Sequence, residues 1–256
     1  MRIISHTCSN TEIVCTLGRV DWLVGVDDHS DYPPEVVERL PRIGPDLDVD
    51  VEKILALEPD LVITSLTVPG HERCLERMEK AGLPLLVTRP HRLADVAEDI
   101  RRIGEAINAD SAAAEWAGRF EQALNRQPPP GSPVPILVEW WPKPVIVPGR
   151  DSWVNEMLAL AGAVNPWADQ PAESLEVSTE MVRDAAPQAI VMSWCGVDEA
   201  KYRPHIVRRR EGWEAVPAIA HDRIFAISEA WLGRPGPRLL DGIELLRRVV
   251  QGVGAG

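Results

Sequence analysis

The chain has 256 residues, 45% apolar and 26% charged, enough for one large domain or two smaller ones with a proper core. Its 27 basic and 39 acidic side chains leave a formal net charge of −12. That balance excludes a nucleic-acid binder, which needs a basic stripe for phosphate, and favours a neutral or cationic ligand over a strongly anionic one.

In chain order, Met1-Arg-Ile-Ile-Ser-His runs directly into a strand, Arg2 to Ser5, with none of the basic and apolar segments of a leader. If Met1 is the true start, the expectation is a cytoplasmic protein, and no apolar run is long enough to span a membrane. Ser9-Asn10-Thr11 offers N-cap chemistry for a helix ending at Gly18. Strands are predicted at Leu23 to Val26, Leu61 to Thr64 and Leu85 to Val87. Between them lie a helix capped by Asp50 and stopped near Pro59, and a helix from Glu72 to Ala81. Strands alternating with helices indicate a parallel sheet covered on both faces.

Leu93, Val96, Ile100, Ile103 and Ile107 recur at helical spacing, and Asp110 opens a second helix through Gln127. Pro128-Pro-Pro-Gly-Ser-Pro133 closes that stretch. The second half repeats the plan. It has strands at Pro135 to Val138, Ala189 to Met192 and Arg223 to Ile227, helices capped by Ser152 and Ser178, and a closing helix from Leu239 to Val250. Leu57-Glu-Pro-Asp-Leu-Val-Ile-Thr-Ser65 and Ala185-Ala-Pro-Gln-Ala-Ile-Val-Met-Ser193 share one pattern: helix end, proline, polar residue, apolar strand, serine. The expected architecture is therefore α/β, two Rossmann-like lobes with parallel sheets joined by a long helix. The lobes span residues 1–92 and 133–256, with a helical linker at 93–132 whose backbone helix covers about 110–127.

Ligands of open parallel sheets bind beyond the carboxyl ends of the strands. Those ends are Ser5-His6-Thr7, Asp27-Asp28-His29, Thr64 to Thr67, Thr88-Arg89, Glu139-Trp140-Trp141, Ser193-Trp194-Cys195 and Ser228 to Trp231, which line one cleft if the lobes face each other. Of nine tryptophans, Trp140, Trp141, Trp194 and Trp231 fall in these loops, against only two Phe and two Tyr in the chain. Their flat apolar faces suit a large planar ligand. His6 and His29, beside Asp27, Asp28 and Asp31, offer imidazole and carboxylate for a metal ion, against the plainer reading of a solvated acidic loop. No nucleophile elbow, P-loop, dinucleotide fingerprint or zinc-protease pattern occurs. An enzyme would have to work with Glu139, Glu229 or Asp28 as general acid or base. Arg208-Arg209-Arg210 reads as a solvated helix face, and Cys8 and Cys15 as buried free thiols.

Several segments resemble one known family. Arg2-Ile-Ile-Ser, Ser9-Asn-Thr-Glu-Ile13, Leu17-Gly18, Val24-Gly-Val26, Ser30-Asp-Tyr-Pro-Pro34 and Val51-Glu-Lys-Ile-Leu-Ala-Leu-Glu-Pro-Asp-Leu-Val-Ile63 are similar to the cobalamin-binding receptors of ABC importers. So are Pro187-Gln-Ala-Ile-Val191 and Pro237-Arg-Leu-Leu-Asp-Gly-Ile243. These receptors are class III (helical-backbone) periplasmic binding proteins, which also include siderophore and haem receptors. The resemblance implies a monomeric, non-enzymatic receptor outside the cytoplasm, with a corrinoid as ligand and no intrinsic cofactor. It implies ligand contacts at Tyr32, at Ser65, Leu66 and Thr67, and at Trp231 and its neighbours. It also implies acidic docking onto an ABC permease through Glu72 and Glu180. The alternatives are a siderophore, haem or metal-ion receptor, or a cytoplasmic tetrapyrrole-handling enzyme or chaperone on the same fold.

Overall fold

The structure is a computed structural model that describes residues 1–254. The chain divides into two compact units, one formed by residues 1–90 and 94–121, the other by residues 91–93 and Gln122 onward. Unit 1 runs β1 (Ile3–Ser5), α1 (Cys8–Thr16), β2 (Leu23–Val26), α2 (Pro34–Val37), α3 (Val51–Ala56), β3 (Leu61–Ser65), α4 (His71–Lys80), β4 (Leu85–Thr88), α5 (Leu93–Ala106) and α6 (Asp110–Leu124). The division between the units falls inside α6. Unit 2 begins with β5 (Val134–Glu139), β6 (Trp141–Pro142), β7 (Val145–Pro148), α7 (Val154–Ala161), β8 (Ala163–Val164) and β9 (Ser174–Glu176). It continues with α8 (Thr179–Ala185), β10 (Ala189–Met192), α9 (Pro204–Arg208), α10 (Pro217–Ala220), β11 (Ile224–Ala226), α11 (Glu229–Leu232) and α12 (Leu239–Gly254).

Each unit holds a four-stranded, wholly parallel sheet, ordered β2-β1-β3-β4 in unit 1 and β8-β5-β10-β11 in unit 2. The two orders are the same: within its own unit each sheet reads second, first, third, fourth among its parallel strands. The sequence echo marks this equivalence down to single residues. At an offset of 128 positions, Asp50 and Ser178 cap α3 and α8 by accepting from the N–H of Lys53 and Met181. Glu58 and Ala186 then reverse the chain in the left-handed region, at φ 45° and 43°, just before Pro59 and Pro187. A non-glycine residue held there is strained, and its repetition at matched positions says that the turn is needed to aim the following strand.

The core of unit 1 packs Ile4, Ile43, Val49, Ile54, Val62, Cys74 and Met78. That of unit 2 packs Leu137, Val147, Val182, Ile190, Met192, Trp194, Tyr202, Val207 and Trp213. The middles of these strands are apolar, as expected of a parallel sheet buried on both faces, and polar residues gather at their carboxyl ends.

Several local expectations change. Thr7, with φ 88°, holds the N-cap position of α1 without a side-chain bond, and Ser9, Asn10 and Thr11 lie within the first turn of the helix, turned inward. Trp153, not Ser152, precedes α7 as its N-cap residue, again without a side-chain bond. Cys8 and Cys15 are partly exposed, Cys74 is buried and Cys195 is exposed. The antiparallel sheet β6-β7-β9 has no counterpart among the sequence expectations. Its strands are two to four residues long and carry Pro142 and Pro148, which argue against a strand in any propensity reading.

Gly242 lets α12 approach α11: a Cβ there would lie 2.0 Å from the carbonyl oxygen of Trp231. Gly242→Ala is expected to destabilise the protein by about 1–3 kcal/mol through overpacking. In urea unfolding this appears as a lower midpoint with an unchanged slope.

Candidate ligand-binding rims

In both sheets the first strand pairs with the third, and the chain departs to opposite sides from them. The carboxyl ends of that central pair form the topological switch point at which open α/β sheets bind ligands. In unit 1 these ends are Ser5-His6-Thr7 and Ser65-Leu66-Thr67; in unit 2 they are Glu139-Trp140-Trp141 and Ser193-Trp194-Cys195.

The unit 1 rim is floored by a buried hydroxyl network. Thr7 Oγ1 lies 3.2 Å from both Ser9 Oγ and Ser65 Oγ, and Asn10 Nδ2 donates to Ser65 Oγ and to the His6 carbonyl, each at 3.0 Å. Thr11 Oγ1 sits 2.8 Å from Ser5 Oγ and 2.7 Å from Ser30 Oγ, and Ser30 donates to Asp27 Oδ1 at 2.6 Å. Ser65 also pairs with Thr88 Oγ1 at 2.7 Å. Polar groups at this depth must find partners, and the first turn of α1 supplies them. Burial raises the pKa of the Asp27 carboxyl, against the lowering effect of its bonds from Ser30 and the His29 N–H.

His6 is fully enclosed. Its Nε2 donates to the Asp46 carbonyl and its Nδ1 accepts from Thr64 Oγ1, both at 2.7 Å, because a carbonyl can only accept. Burial pushes its pKa down to about 4, so the ring is neutral. Asp46 is drawn down although burial acts to raise it, because the His71 ring and the neighbouring His29 outweigh that penalty. Nε2 of each of these histidines lies 3.5 Å from an Asp46 carboxylate oxygen. The metal ion weighed for His6, His29 and Asp27, Asp28 and Asp31 against a solvated acidic loop finds no ligand set here. Both His6 nitrogens are occupied and His29 turns to Asp46. Among the described residues no group of three or more His, Cys, Asp or Glu is arranged to hold a metal ion.

Tyr32 is 47% exposed, and Leu66 and Thr67 are half-buried on the loop after β3. Ser65, by contrast, is enclosed in the hydroxyl network. Leu47 and Val68 are also exposed on this side, next to Asp46 and Thr67. Nothing in the sequence marked them, since a lone exposed apolar residue carries no signal.

The unit 2 rim is built on charge and indoles. Glu139, 0% exposed, accepts from Trp194 Nε1 at 2.8 Å and from Arg210 at 2.5 and 3.1 Å. Arg210 thus leaves the solvated helix face expected of the 208–210 run and enters a buried pair. Trp194 is 5% exposed, packs 5.1 Å from the Tyr202 ring and belongs to the core, not to the solvent-facing rim. Trp141 is 42% exposed, and Trp140 is half-buried beside Gly233. Trp231, half-buried, lines a cavity of about 320 Å³ with Ile227, Ser228, Asp241 and Leu245. The Arg238 guanidinium lies 5.2 Å from its ring. Glu229 accepts from Gly196 N at 2.8 Å and from Arg234 at 3.1 and 3.2 Å. Glu139 and Glu229, two of the three candidate acid–base residues, are thus held in ion pairs, and Asp28 is exposed.

Glu72 and Glu180 are both exposed in the first turns of their helices. The lowered pKa of Glu72 comes from its own backbone N–H and then from that of Gly70. The internal repeat pairs Glu180 with Glu52 on α3, not with Glu72 on α4.

A family model described as periplasmic binding protein matches residues 3–230. The vitamin B12-binding protein of Vibrio cholerae serotype O1 is 31% identical over 247 residues, covering 95% of this chain and 86% of the relative. The crystal structure of the periplasmic vitamin B12 binding protein BtuF of Vibrio cholerae superposes with a TM-score of 0.81 at 28% identity, over 100% of this chain and 98% of that one. The periplasmic heme-binding protein RhuT from Roseiflexus sp. RS-1, in apo form, gives 0.83 at 29% identity, over 98% of each.

The neutral, buried His6 has a consequence for stability. Its folded pKa is depressed below the unfolded value of about 6.5, so the unfolded chain binds more protons between those two values, and this contribution falls with falling pH. Asp99, raised to about 6 by burial, acts oppositely in the same window, so the comparison is best made against a variant. The stability of the parent relative to His6→Gln should drop by about 1–3 kcal/mol between pH 7 and pH 4.5 in urea unfolding. A flat difference would contradict the assignment.

Proposed function

The chain belongs to the periplasmic binding protein family, the ligand-binding receptors of ABC importers, and from that premise we propose that its ligand is a cobalamin-like corrinoid. Identity of 31% over 95% of the chain with a vitamin B12-binding protein carries this reading. The chemistry of the rims agrees with it. In unit 1 the exposed Tyr32, and in unit 2 the exposed Trp141 and the cavity-lining Trp231, are aromatic groups of the kind that stack on a broad, planar guest. Half-buried Leu66 and Thr67, and Trp140, add contact, whereas Ser65 and Trp194 act from beneath by shaping the loops. The ligand is bound and released without chemistry, so the protein needs no intrinsic cofactor.

In this reading the protein works as a monomer on the outer side of the membrane and hands its ligand to an ABC permease. No helix among the described residues is long and apolar enough to cross a membrane. Glu72 and Glu180 are the proposed docking acids.

A second reading, haem, is favoured by the likeness to a heme-binding protein at 29% identity. It needs an axial ligand, for which Tyr32 is the exposed phenol on the rim. The two readings separate cleanly. Titration with hydroxocobalamin is expected to perturb the corrin spectrum with submicromolar affinity, and Trp141→Ala and Trp231→Ala should each weaken it roughly tenfold. Tyr32→Phe should leave corrinoid binding nearly intact, because stacking survives loss of the hydroxyl. Tight hemin binding that Tyr32→Phe abolishes, with no response to hydroxocobalamin at tens of micromolar, would replace the corrinoid by haem.

A further inference from the structure

We propose that the buried Glu139–Arg210 pair is a positioning device that sets the loops of the unit 2 rim; its bearing on ligand affinity rests on the corrinoid reading. Glu139 closes β5 at the switch point, and Arg210 grips both its oxygens while Trp194 shares one of them. Oε1 accepts from Trp194 Nε1 at 2.8 Å and from Arg210 Nη2 at 3.1 Å, and Oε2 accepts from Arg210 Nη1 at 2.5 Å. Arg210 follows α9, is 15% exposed, stacks 4.4 Å from the buried Trp213 ring and donates to the Pro142 carbonyl at 3.2 Å. One guanidinium therefore joins the end of β5, the strand β6 that carries Trp141, and the segment after α9. The indole of Trp194 adds the loop after β10, whose Cys195 N–H donates to the Trp140 carbonyl at 3.0 Å.

Apolar residues of similar volume would fill the same space without the desolvation that a buried ion pair entails. What they would not supply is direction. The Oε1 bond turns the Trp194 ring inward, and the fork of Arg210 holds Pro142 at a set distance from Glu139. At the matching loop position in unit 1 stands Leu66, which has no such anchor. Rim geometry in unit 2 is thus fixed by bonds from below, so that the exposed Trp141 and the half-buried Trp140 stand on held backbone.

The test is amide hydrogen exchange on the ligand-free full chain, together with hydroxocobalamin titration. In Glu139→Met/Arg210→Met, both charges are replaced by apolar volume. This variant is expected to keep the protection of β10, while exchange at Trp141, Lys143 and Cys195–Val197 speeds up by at least about tenfold. Hydroxocobalamin affinity should fall about tenfold as the rim loses its preorganisation. Glu139→Gln makes the same point should the double variant not fold. Its amide nitrogen faces the guanidinium while its oxygen still accepts from Trp194, so Trp141 and Lys143 should accelerate and Cys195–Val197 should not. A purely structural role would not split the two loops in this way. Unchanged rim exchange in a folded variant overturns the proposal, and faster exchange with unchanged hydroxocobalamin affinity overturns its link to the ligand. If the parent itself fails to bind hydroxocobalamin, the corrinoid reading falls, and exchange alone decides the positioning role.

Discussion

The pairing of first strand with third governs both units. Because β1 lies against β3 and β5 against β10, while β2 and β8 sit on the far side of the first strand, the connections leave the central pair in opposite directions. No crossover helix can then cover the carboxyl ends of that pair, and a crevice is left there. Any backbone or side chain lowered into it loses water and must find another partner. The crevice is therefore a demand on the sequence, and the two units meet it with different chemistry at the same backbone positions.

The strand register makes the correspondence explicit. Ser5 pairs with Ile63, and Val138 pairs with Val191, which is the repeat partner of Ile63. The next residues along, His6 and Glu139, are thus equivalent, and both are fully buried and titratable. His6 answers burial by staying neutral and using each nitrogen once. Glu139 answers it with a bidentate arginine and an indole. The first solution needs one hydroxyl, that of Thr64, and one backbone carbonyl, that of Asp46, and gives a compact polar floor. The second draws in two large rings and a long cation from distant segments, and so ties several loops into one assembly.

The alternation of strands and helices, and the repeat centred on Pro59 and Pro187, were legible in the sequence because both rest on local signals: apolar runs, caps and proline stops. The Asp50 and Ser178 caps fell at their expected places for that reason. Side-chain direction was not legible. Ser9-Asn10-Thr11 looks the same whether it caps a helix or sits in its first turn under a hydroxyl network, and only tertiary contact decides between them. Trp194 and Trp141 both follow strand ends, yet one is locked into the core by Glu139 and the other stands in solvent. The partner that separates them, Arg210, lies 71 positions from Glu139 in a run of three arginines that reads as surface. The short antiparallel strands escaped for a further reason, since their prolines speak against the structure they adopt.

The same lesson applies to charge. A formal −12 suggests an acidic surface hostile to anions, but several carboxylates near the strand ends are individually accommodated. Glu139 is paired with Arg210 and Glu229 with Arg234, Asp46 is flanked by His29 and His71, and Asp27 is buried with its proton affinity raised. Net charge counted along the sequence is therefore a poor guide to the charge left unpaired beside these strand ends.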